Sequence, residues 1–407
     1  MRLSYNVCDS TWLEVAMVAV PQLPFARAHA LQFAPSLREL QSRGVIHPVR
    51  TEAGDSAWLI TGYAQVQRWY GDERLGQSHP TPDTAARTHE SAIFGGPMGD
   101  FATEPADHAR KRALLQPLFT PKRLQAWRSR VDALTAQLLD EFAANGPPGD
   151  LHAAVAVPLP LLVICEVLGL PYEDSERFRG WISDITNTRD RARSERGRGR
   201  LLAYGNELVA RRRRAPGDDV ISRLCAAPGI SDDEAAKLWT GLLFAGYENT
   251  TAHIWLGTLL LLTNGHQWRA LAGNPALVPN AVEETLRAAR WGEGVFPRYA
   301  RTDLEIDGVT IKAGELVLLS VGAANHDPTV FADPDRVDIT RRAPGHMTFG
   351  HGGRYCIGAP LARIELNAVF SQLTSRFPTM CLAVGIEDLT LRGGRLFGGL
   401  PELPVRW

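Results

Sequence analysis

The sequence predicts a mainly α-helical protein with a smaller β region, and three observations support this fold class. A proline-free stretch opens with the capping-box pattern Ser231-Asp-Asp-Glu234 and continues to about Thr263, where Asn264-Gly265 would end a helix. At 1.5 Å per residue such a helix is roughly 50 Å long, far longer than a typical one, and would cross the protein interior. Strand-like segments are few and short. Because neither an internal repeat nor an interdomain linker is visible, residues 1–407 are expected to form a single domain.

The β region is predicted from short apolar segments flanked by turn-forming residues. The turn dipeptides Asp307-Gly308 and Ala313-Gly314 separate the last three of these segments. The predicted strands are residues 57–61, 304–306, 310–311 and 316–319.

Composition and charge exclude several classes of protein. The net charge of −1 argues against nucleic acid as the main partner, and 44% hydrophobic residues are ample for a large core. The cysteine count of 5 is odd, and no Cys-x-x-Cys motif occurs, so neither a disulfide framework nor a zinc site is expected. No run approaches the ~20 apolar residues of a membrane span, and the N-terminus lacks the pattern of a signal peptide. A cytoplasmic protein without membrane attachment is expected.

The most informative segment is Phe349-Gly-His-Gly-Gly-Arg-Tyr-Cys356-Ile-Gly358. Glycines allow tight turns and let the backbone approach a flat ligand closely. The following residues predict a helix with Pro360 in its first turn, so Cys356 lies just before a helix N-terminus, where the dipole favours a thiolate. A lone cysteine is usually a small buried hydrophobe, but this patterned context favours a metal-binding or cofactor-binding thiolate.

This segment resembles the haem-binding signature Phe-Gly-x-Gly-x-(His/Arg)-x-Cys-x-Gly of the cytochrome P450 family of haem-thiolate monooxygenases, and the length is similar to that of the soluble bacterial members. The resemblance implies the P450 fold, with haem b between the long central helix and the cysteine loop. It makes Cys356 the axial iron ligand, which favours O–O cleavage. It also places Phe349, Arg354 and Gly358 in the haem-binding loop.

The resemblance further implies four residues that clamp the haem propionates. Arginine pairs well with carboxylates, and His108 and Arg112 lie one helical turn apart. Arg298 and Arg354 complete the set. Any one of these residues alone could equally well be a surface cation, but their joint placement favours a role in binding the haem propionates.

Glu284 and Arg287 form a Glu-x-x-Arg pair at helical i, i+3 spacing. Surface ion pairs at this spacing are common, so the pattern alone is weak. In the family that the sequence resembles, the pair is buried and locks the core behind the haem, which implies the same structural role here.

The long helix contains Leu242-Leu-Phe-Ala-Gly-Tyr-Glu-Asn-Thr-Thr251, which resembles the family's oxygen-binding motif Ala-Gly-x-(Asp/Glu)-Thr. Ala245 and Gly246 would let haem and O2 approach the backbone. Glu248 occupies the acid position, where a titratable side chain can pass protons inward. The usual threonine is replaced by Asn249, and Thr250 lies ~100° further around the helix. Glu248, Asn249 and Thr250 are therefore the candidate catalytic residues.

Asn249 leaves several interpretations open, because an amide relays protons less well than a hydroxyl. In the first, Asn249 holds a water that acts as the relay; in the second, the substrate supplies the hydroxyl. In the third, the reaction couples two carbons, or carbon and nitrogen, of aromatic substrates, for example tryptophan-derived ones, without inserting oxygen. In the fourth, the substitution is tolerated in an ordinary hydroxylase.

The resemblance places the substrate pocket among the loop near residues 91–98, a lid near residues 178–188, the long helix, residues 294–296 and the terminal turn. Many phenylalanines here would simply be core, but together they indicate an apolar, aromatic-lined pocket for a hydrophobic small molecule, of the kind oxidised in secondary-metabolite biosynthesis. The predicted substrate-binding residues are Phe94, Gly241, Phe244, Val295, Phe296 and Phe397.

The sequence contains no flavin or iron–sulfur signature, so electrons must come from a separate protein. The resemblance implies NAD(P)H as the source, with ferredoxin reductase and ferredoxin as carriers. A basic docking surface is predicted at Arg110, Lys111, Arg123 and Arg363. The enzyme itself is expected to be a monomer.

Overall fold

The computed structural model describes residues 20–289, 295–342 and 345–407. Helices dominate this part of the chain: α1 (Pro35–Arg43), α2 (Tyr63–Tyr70), α3 (Glu104–Leu115), α4 (Pro121–Gln125), α5 (Arg128–Ala144), α6 (Pro158–Leu168), α7 (Ser175–Ile185), α8 (Arg191–Arg214), α9 (Val220–Cys225), α10 (Asp232–Thr263), α11 (Gly265–Gly273), α12 (Val278–Ala288), α13 (Val321–Ala324) and α14 (Ala359–Arg376). The strands are β1 (Ile46–Arg50), β2 (Ser56–Ile60), β3 (Leu75–Gly76), β4 (Gly149–Asp150), β5 (Val295–Ala300), β6 (Leu304–Ile306), β7 (Val309–Ile311), β8 (Leu316–Ser320), β9 (Cys381–Leu382) and β10 (Pro404–Arg406).

Helix α10 is the long central helix that the sequence predicts, and its bounds confirm the prediction. The Ser231 side chain accepts a hydrogen bond of 3.1 Å from the backbone N–H of Glu234, as a capping box requires. Helices α6, α8, α12 and α14 all pack against it. Close packing depends on small residues: a Cβ added at Gly257 would lie 2.5 Å from the ring of Phe370 on α14. Helix α10 therefore runs through the interior, with neighbours on several sides.

The larger sheet has the strand order β1-β2-β8-β5-β3. Strands β2 and β8 are parallel, whereas the other neighbours in this sheet are antiparallel. Strands β4, β10 and β9 form a second sheet, and β6 pairs with β7 as a hairpin. The predicted segments 57–61, 304–306, 310–311 and 316–319 correspond to β2, β6, β7 and β8, which confirms them within a residue at each end.

In the five-stranded sheet, two strands that the sequence analysis missed contain proline, which argues against a central strand. Pro48 lies in β1, at the edge of the sheet, where one side of the strand needs no partner. Pro297 lies in β5, and β3 pairs only with Tyr299 and Ala300 of that strand, so β5 is open on one side at Pro297. The exceptions therefore follow the rule that proline is tolerated at an open edge.

The apolar core surrounds α10 in one large cluster that includes α5, α6, α12 and α14, and two smaller clusters cover the faces of the five-stranded sheet. Within the described ranges, no helix has both the length and the apolar character to cross a membrane. The cysteine loop joins the sheet region to α14, on which Glu365 and Phe370 are buried.

Candidate functional site

The loop from Phe349 to Gly358 is held in a fixed shape before α14. The backbone N–H of Cys356 donates to the carbonyl of Phe349 at 2.8 Å, which closes the loop. Gly350 has φ +72°, and a Cβ there would lie 2.6 Å from the ring of Tyr70. Only glycine therefore permits both this turn and the close contact with α2. The predicted helix after Gly358 is confirmed as α14, with proline in its first turn.

The electrostatics at Cys356 differ from the sequence-based expectation. Cys356 is exposed, but the protein atoms around its thiol still reduce its hydration and raise its pKa, which outweighs the opposing effect of the backbone N–H groups of Gly358 and Ala359 at the start of α14. Arg112 and Arg363 act in the same direction as those N–H groups. The helix terminus alone therefore does not make the free thiol acidic. Metal coordination deprotonates a thiol outright, so a bound iron would supply the missing stabilisation.

Arg112 and Arg363 tie the loop to the helices around it. Arg112 on α3 donates to the carbonyl oxygen of Tyr355 at 2.6 Å. Arg363 on α14 lies 4.6 Å from the ring centre of Phe349 and forms a two-point ion pair with Glu283 at 2.7 and 2.9 Å. The loop is thus braced from both sides by cations.

Arg298 is a buried cation whose charge lacks a carboxylate partner among the described residues. Its side chain is 3% exposed, and its Nε has no hydrogen-bond partner. Its Nη1 donates to the carbonyl of Pro297 at 2.8 Å, and its guanidinium lies 5.3 Å from the ring centre of Tyr70. Burial lowers the pKa of Arg298 to about 10. A buried guanidinium in this state needs an anion, and a haem propionate would provide one.

Arg354, one of the predicted propionate ligands, already has an anionic partner within the protein. Its Nη2 lies 2.8 Å from Oε1 of Glu104, so part of its charge is already neutralised within the protein. Burial alone would raise the pKa of Glu104, but hydrogen bonds from Ser78 and the backbone of Gln77, together with Arg354, lower it to about 2. Arg354 is therefore shared between this carboxylate and any propionate, since a guanidinium has five donors.

Glu104 was missed by the sequence analysis, although a signal for it existed. It lies one helical turn before His108 on the same face of α3, and His108 lies one turn before Arg112. Burial and the neighbouring Arg354 and Arg112 lower the pKa of His108. His108 is thus placed to donate a hydrogen bond to a propionate as a neutral imidazole.

These residues fit a haem. The thiol in the glycine-rich loop suits the iron. The buried guanidinium with an unpartnered Nε, and the half-buried histidine and arginine on one helix face, suit the propionates at the edge of the macrocycle. Cys356 would hold the iron, Arg298 with Arg112 and His108 would hold the propionates, and Arg354 would contribute in part. Phe349, stacked beneath Arg363, would form the floor of the loop.

Helix α10 places the first two residues of the oxygen-binding segment in different surroundings. Ala245 is exposed and can face a cofactor. Gly246 packs against α6, where an added Cβ would lie 2.6 Å from Cδ1 of Ile164. Helix packing is therefore one reason for a glycine at position 246, in addition to its predicted role beside the haem.

The three candidate catalytic residues occupy different environments. Burial raises the pKa of Glu248, while Arg395 opposes this shift. Asn249 is half-buried, and its Nδ2 donates to the carbonyl of Ala245, one turn earlier, at 3.3 Å. Thr250 is 6% exposed and points into the protein, which agrees with its position around the helix. Glu248 and Asn249 are thus better placed than Thr250 to exchange protons.

A cavity of about 380 Å³ contains four of the six predicted substrate-binding residues, namely Phe94, Val295, Phe296 and Phe397. The rings of Phe94 and Phe296 meet edge to face at 6.4 Å. Phe244 is a core residue behind the cavity wall, with its ring 6.0 Å from that of Phe397, and this corrects its predicted role. Gly241 is exposed, but it does not line this cavity. The predicted position Gly294 lies outside the described residues.

The lid predicted near residues 178–188 is only partly consistent with the structure. Phe178 is fully buried in α7 and packs against Tyr204 and Trp239 at 5.1 and 6.4 Å between ring centres, so it is a core residue. Thr188, at the other end of the segment, does line the cavity.

The predicted pair of Glu284 and Arg287 is present as a buried ion pair, in which each side chain is 3% exposed and Arg287 Nε lies 2.8 Å from Glu284 Oε2. Arg287 also donates to the backbone carbonyls of Asn325 and Pro334, each at 2.9 Å. The backbone N–H of Asp338 donates to Glu284 at 2.9 Å. The pair thus fastens α12 to the loops that precede the cysteine loop.

Glu365 on α14 is a second buried acid that the sequence analysis missed. It follows Leu361 and precedes Val369 on an i, i+4, i+8 stripe of buried positions, and this spacing was the available signal. Its side chain is 2% exposed, and its Oε2 has no hydrogen-bond partner in the described chain. Burial raises its pKa well above the ordinary value.

Replacement of Glu365 by glutamine is expected to stabilise the protein by an amount that grows with pH. A glutamate in the unfolded chain ionises near pH ~4.3, whereas folded Glu365 keeps its proton to a higher pH. The stability from the neutral carboxyl is therefore fully present below the unfolded pKa of ~4.3 and is lost progressively as the pH rises from there through the folded pKa. Urea unfolding across this range measures the effect, with surface Glu402→Gln as the control. Identical pH profiles for wild type and Glu365→Gln would contradict it.

The chain is similar to known proteins over almost its whole length. The family model described as cytochrome P450 matches residues 273–390. The chain is 42% identical over 397 residues to pentalenolactone synthase of Streptomyces exfoliatus, which covers 96% of this chain and 100% of that protein. It is 39% identical over 391 residues to mycinamicin IV hydroxylase/epoxidase of Micromonospora griseorubida, which covers 94% and 98%.

A solved structure shows the same architecture. The substrate-free cytochrome P450 PimD, a polyene macrolide antibiotic pimaricin epoxidase, superposes with a TM-score of 0.86 and 40% identity, covering 95% of this chain and 99% of that one. The central helix, the glycine-rich cysteine loop and the surrounding cations accord with these relationships. This chain therefore belongs to the cytochrome P450 family of haem-dependent monooxygenases.

Proposed function

We propose that this monooxygenase uses O2 and two electrons to oxidise a hydrophobic small molecule in a secondary-metabolite pathway. The proposal rests on two features that occur together: Cys356 lies on a loop of fixed shape, and Arg298 is buried without a carboxylate partner among the described residues. Relatives are named as a synthase, a hydroxylase/epoxidase and an epoxidase of natural products. The cavity beside Phe94 and Phe296 supports an apolar substrate.

Haem b bound to Cys356 would supply the iron at which O2 is activated. The protein's own residues would then perform two tasks. Arg298, Arg112 and His108 would orient the propionates, and Glu248 would hold a proton at its carboxyl near the oxygen side. Because burial raises the pKa of Glu248, this carboxyl keeps its proton to a higher pH than an exposed one and is suited to release it inward.

Turnover under isotopically labelled O2 tests the proposal. A product that carries one labelled oxygen atom supports monooxygenation. Products without label, and with a new bond between two substrate carbons or between carbon and nitrogen, would instead identify the coupling reaction that Asn249 leaves open. The relatives' names favour the first result, because they include hydroxylation and epoxidation.

Replacement of Asn249 by threonine is expected to lower peroxide release per NAD(P)H severalfold. A hydroxyl both donates and accepts a proton, whereas the amide of Asn249 already donates one hydrogen to Ala245 at 3.3 Å. The ratio of peroxide to product, measured with a surrogate ferredoxin system, is the readout. Thr258→Val, deeper in the same helix, is the matched control. An unchanged ratio in Asn249→Thr would show that this amide does not govern proton delivery.

We further propose that ferredoxin, reduced by NAD(P)H through ferredoxin reductase, delivers the electrons to a monomeric, one-domain enzyme. Two of the four predicted docking cations are already neutralised, since Arg110 pairs with Glu234 at 2.9 Å and Arg363 pairs with Glu283. Lys111 and Arg123 form no ion pair with any described residue and are the better candidates to meet an acidic partner.

A further inference from the structure

The lining of the substrate cavity combines aromatic side chains with basic ones. The phenylalanines are those described above. The charged residues that line the same cavity are Arg27, Arg189, Arg392 and Arg395, with Glu52 as the only carboxylate among the described lining residues. Glu52 is occupied in part, because its Oε1 accepts a hydrogen bond of 3.1 Å from the Thr188 hydroxyl. Even without Arg27, the three arginines Arg189, Arg392 and Arg395 outnumber this one carboxylate, so the described part of the lining carries an excess of positive charge.

Arg189 lines the cavity from beside the terminal turn. Its guanidinium lies over that turn, where a Cβ added at Gly394 would lie 3.1 Å from Nε and one at Gly393 would lie 3.3 Å from Nη2. The backbone N–H of Thr188 donates to the carbonyl of Gly394 at 3.0 Å, which joins the two segments. The Arg189 side chain is exposed, and no described carboxylate forms an ion pair with it.

Two neighbouring arginines of the same segment, unlike Arg189, do form ion pairs with carboxylates of the protein. Arg191 lies 2.8 Å from Oε1 of Glu195, and Arg193 lies 2.7 Å from Oδ1 of Asp184. Both are two to four residues from Arg189, yet both are neutralised within the protein. Arg189, which lines the cavity, is thus available to bind an anionic ligand.

Arg395 adds a second charge from the opposite segment. It is half-buried and donates to the hydroxyl of Ser183, a neutral acceptor. Its charge is close enough to affect other groups: burial is the main cause of the lowered pKa of His152, with Arg392 and Arg395 among the smaller contributors, and Arg395 opposes the effect of burial on the pKa of Glu248. Arg395 therefore adds a second positive charge to the cavity lining.

We propose that the substrate carries a carboxylate, which pairs with Arg395 and Arg189 while its apolar body lies against Phe94 and Phe397. Guanidinium groups recognise carboxylates with paired hydrogen bonds. Arg395 is half-buried, which strengthens such a pair, whereas Arg189 is exposed. This proposal rests on the proposed monooxygenase function and names its substrate class as hydrophobic organic acids. The carboxylate would also fix which end of the molecule points toward the haem.

Equilibrium binding to the holoenzyme tests this proposal with defined probes. Naphthylacetic acid and dehydroabietic acid are compared with their methyl esters, which keep the apolar body but lack the charge. Binding is measured by calorimetry and by the haem spin-state shift. The variants are Arg395→Gln, Arg189→Gln and the double variant, with Arg269→Gln on the surface of α11 as the matched control. The acids are expected to bind about tenfold more tightly than the esters, as one charged hydrogen-bonded pair allows.

The double variant should lose this preference, whereas ester binding and the control variant should be unchanged. If the esters bind as tightly as the acids, if no acid binds, or if the preference survives in the double variant, the proposal is wrong. The spectrum of the reduced, CO-bound protein, recorded on the same preparations, reports separately on the haem-thiolate centre. A normal spectrum with no acid preference would overturn the substrate class alone, whereas an abnormal one would overturn the proposed function.

Discussion

Replacement of Cys356 by serine is expected to abolish turnover and to remove the red-shifted Soret band of the reduced, CO-bound protein. A serine oxygen is a far weaker electron donor to iron than a thiolate, and electron donation from the axial ligand promotes O–O cleavage. The loop itself should survive, because its closing bond joins the backbone N–H of Cys356 to the carbonyl of Phe349 and does not involve the side chain. The loss should therefore lie in the chemistry and not in the fold.

Cys381→Ser is the matched control for this experiment. Cys381 lies in β9, where its Sγ accepts a hydrogen bond of 3.3 Å from Arg406, and a serine hydroxyl can take over that role. The control should keep both the spectrum and the turnover of wild type. Turnover by Cys356→Ser at a rate near that of wild type would refute the assignment of the axial ligand. If Cys356→Ser folds but no longer binds haem, circular dichroism will show that the fold is intact. That result would also support Cys356 as the ligand.

The parts of the fold that the sequence predicted are those with local physical signatures. Helix α10 was predictable because Ser231 and Glu234 cap it and no proline interrupts it. The cysteine loop was predictable because its glycines mark backbone conformations that other residues avoid. The parts that were missed depend on tertiary contacts. Gly246 resembles a cofactor-contact glycine in sequence, and only the structure shows Ile164 beside it.

The electrostatic partners were hidden for the same reason. Arg354 lies 250 residues from Glu104, so nothing in either segment indicates that the two form an ion pair. Likewise, Phe244 and Phe397 are both phenylalanines in segments expected at the pocket, but one faces the cavity and the other packs behind it. Whether a side chain lines a cavity depends on which element covers it, and a single sequence does not contain that information.

The Glu-x-x-Arg motif shows this limit within one chain, because two of its three occurrences form i, i+3 ion pairs that differ in burial. Glu176 and Arg179 on α7 form an ion pair of 2.6 Å at i, i+3 spacing, with side chains 79% and 44% exposed. Glu284 and Arg287 on α12 have the same spacing but are each 3% exposed. The two motifs are identical in pattern and differ only in burial. Burial decides how much each pair affects the free energy of unfolding. Exposed pairs contribute ~0–1 kcal/mol, whereas breaking a buried pair costs several times more.

Glu284→Gln is accordingly expected to lower the free energy of unfolding by about 3–5 kcal/mol, whereas Glu176→Gln should change it by less than about 1 kcal/mol. The glutamine would place an NH2 group against Arg287 or against the donors of Asp338 and Arg341, which now contact Glu284 Oε1 at 2.9 and 3.2 Å. A buried guanidinium would then lack a compensating charge. Urea unfolding of both variants gives the comparison. Equal losses in the two variants would mean that burial does not distinguish the pairs, and a small loss in Glu284→Gln would mean that the backbone carbonyls around Arg287 suffice to hold it.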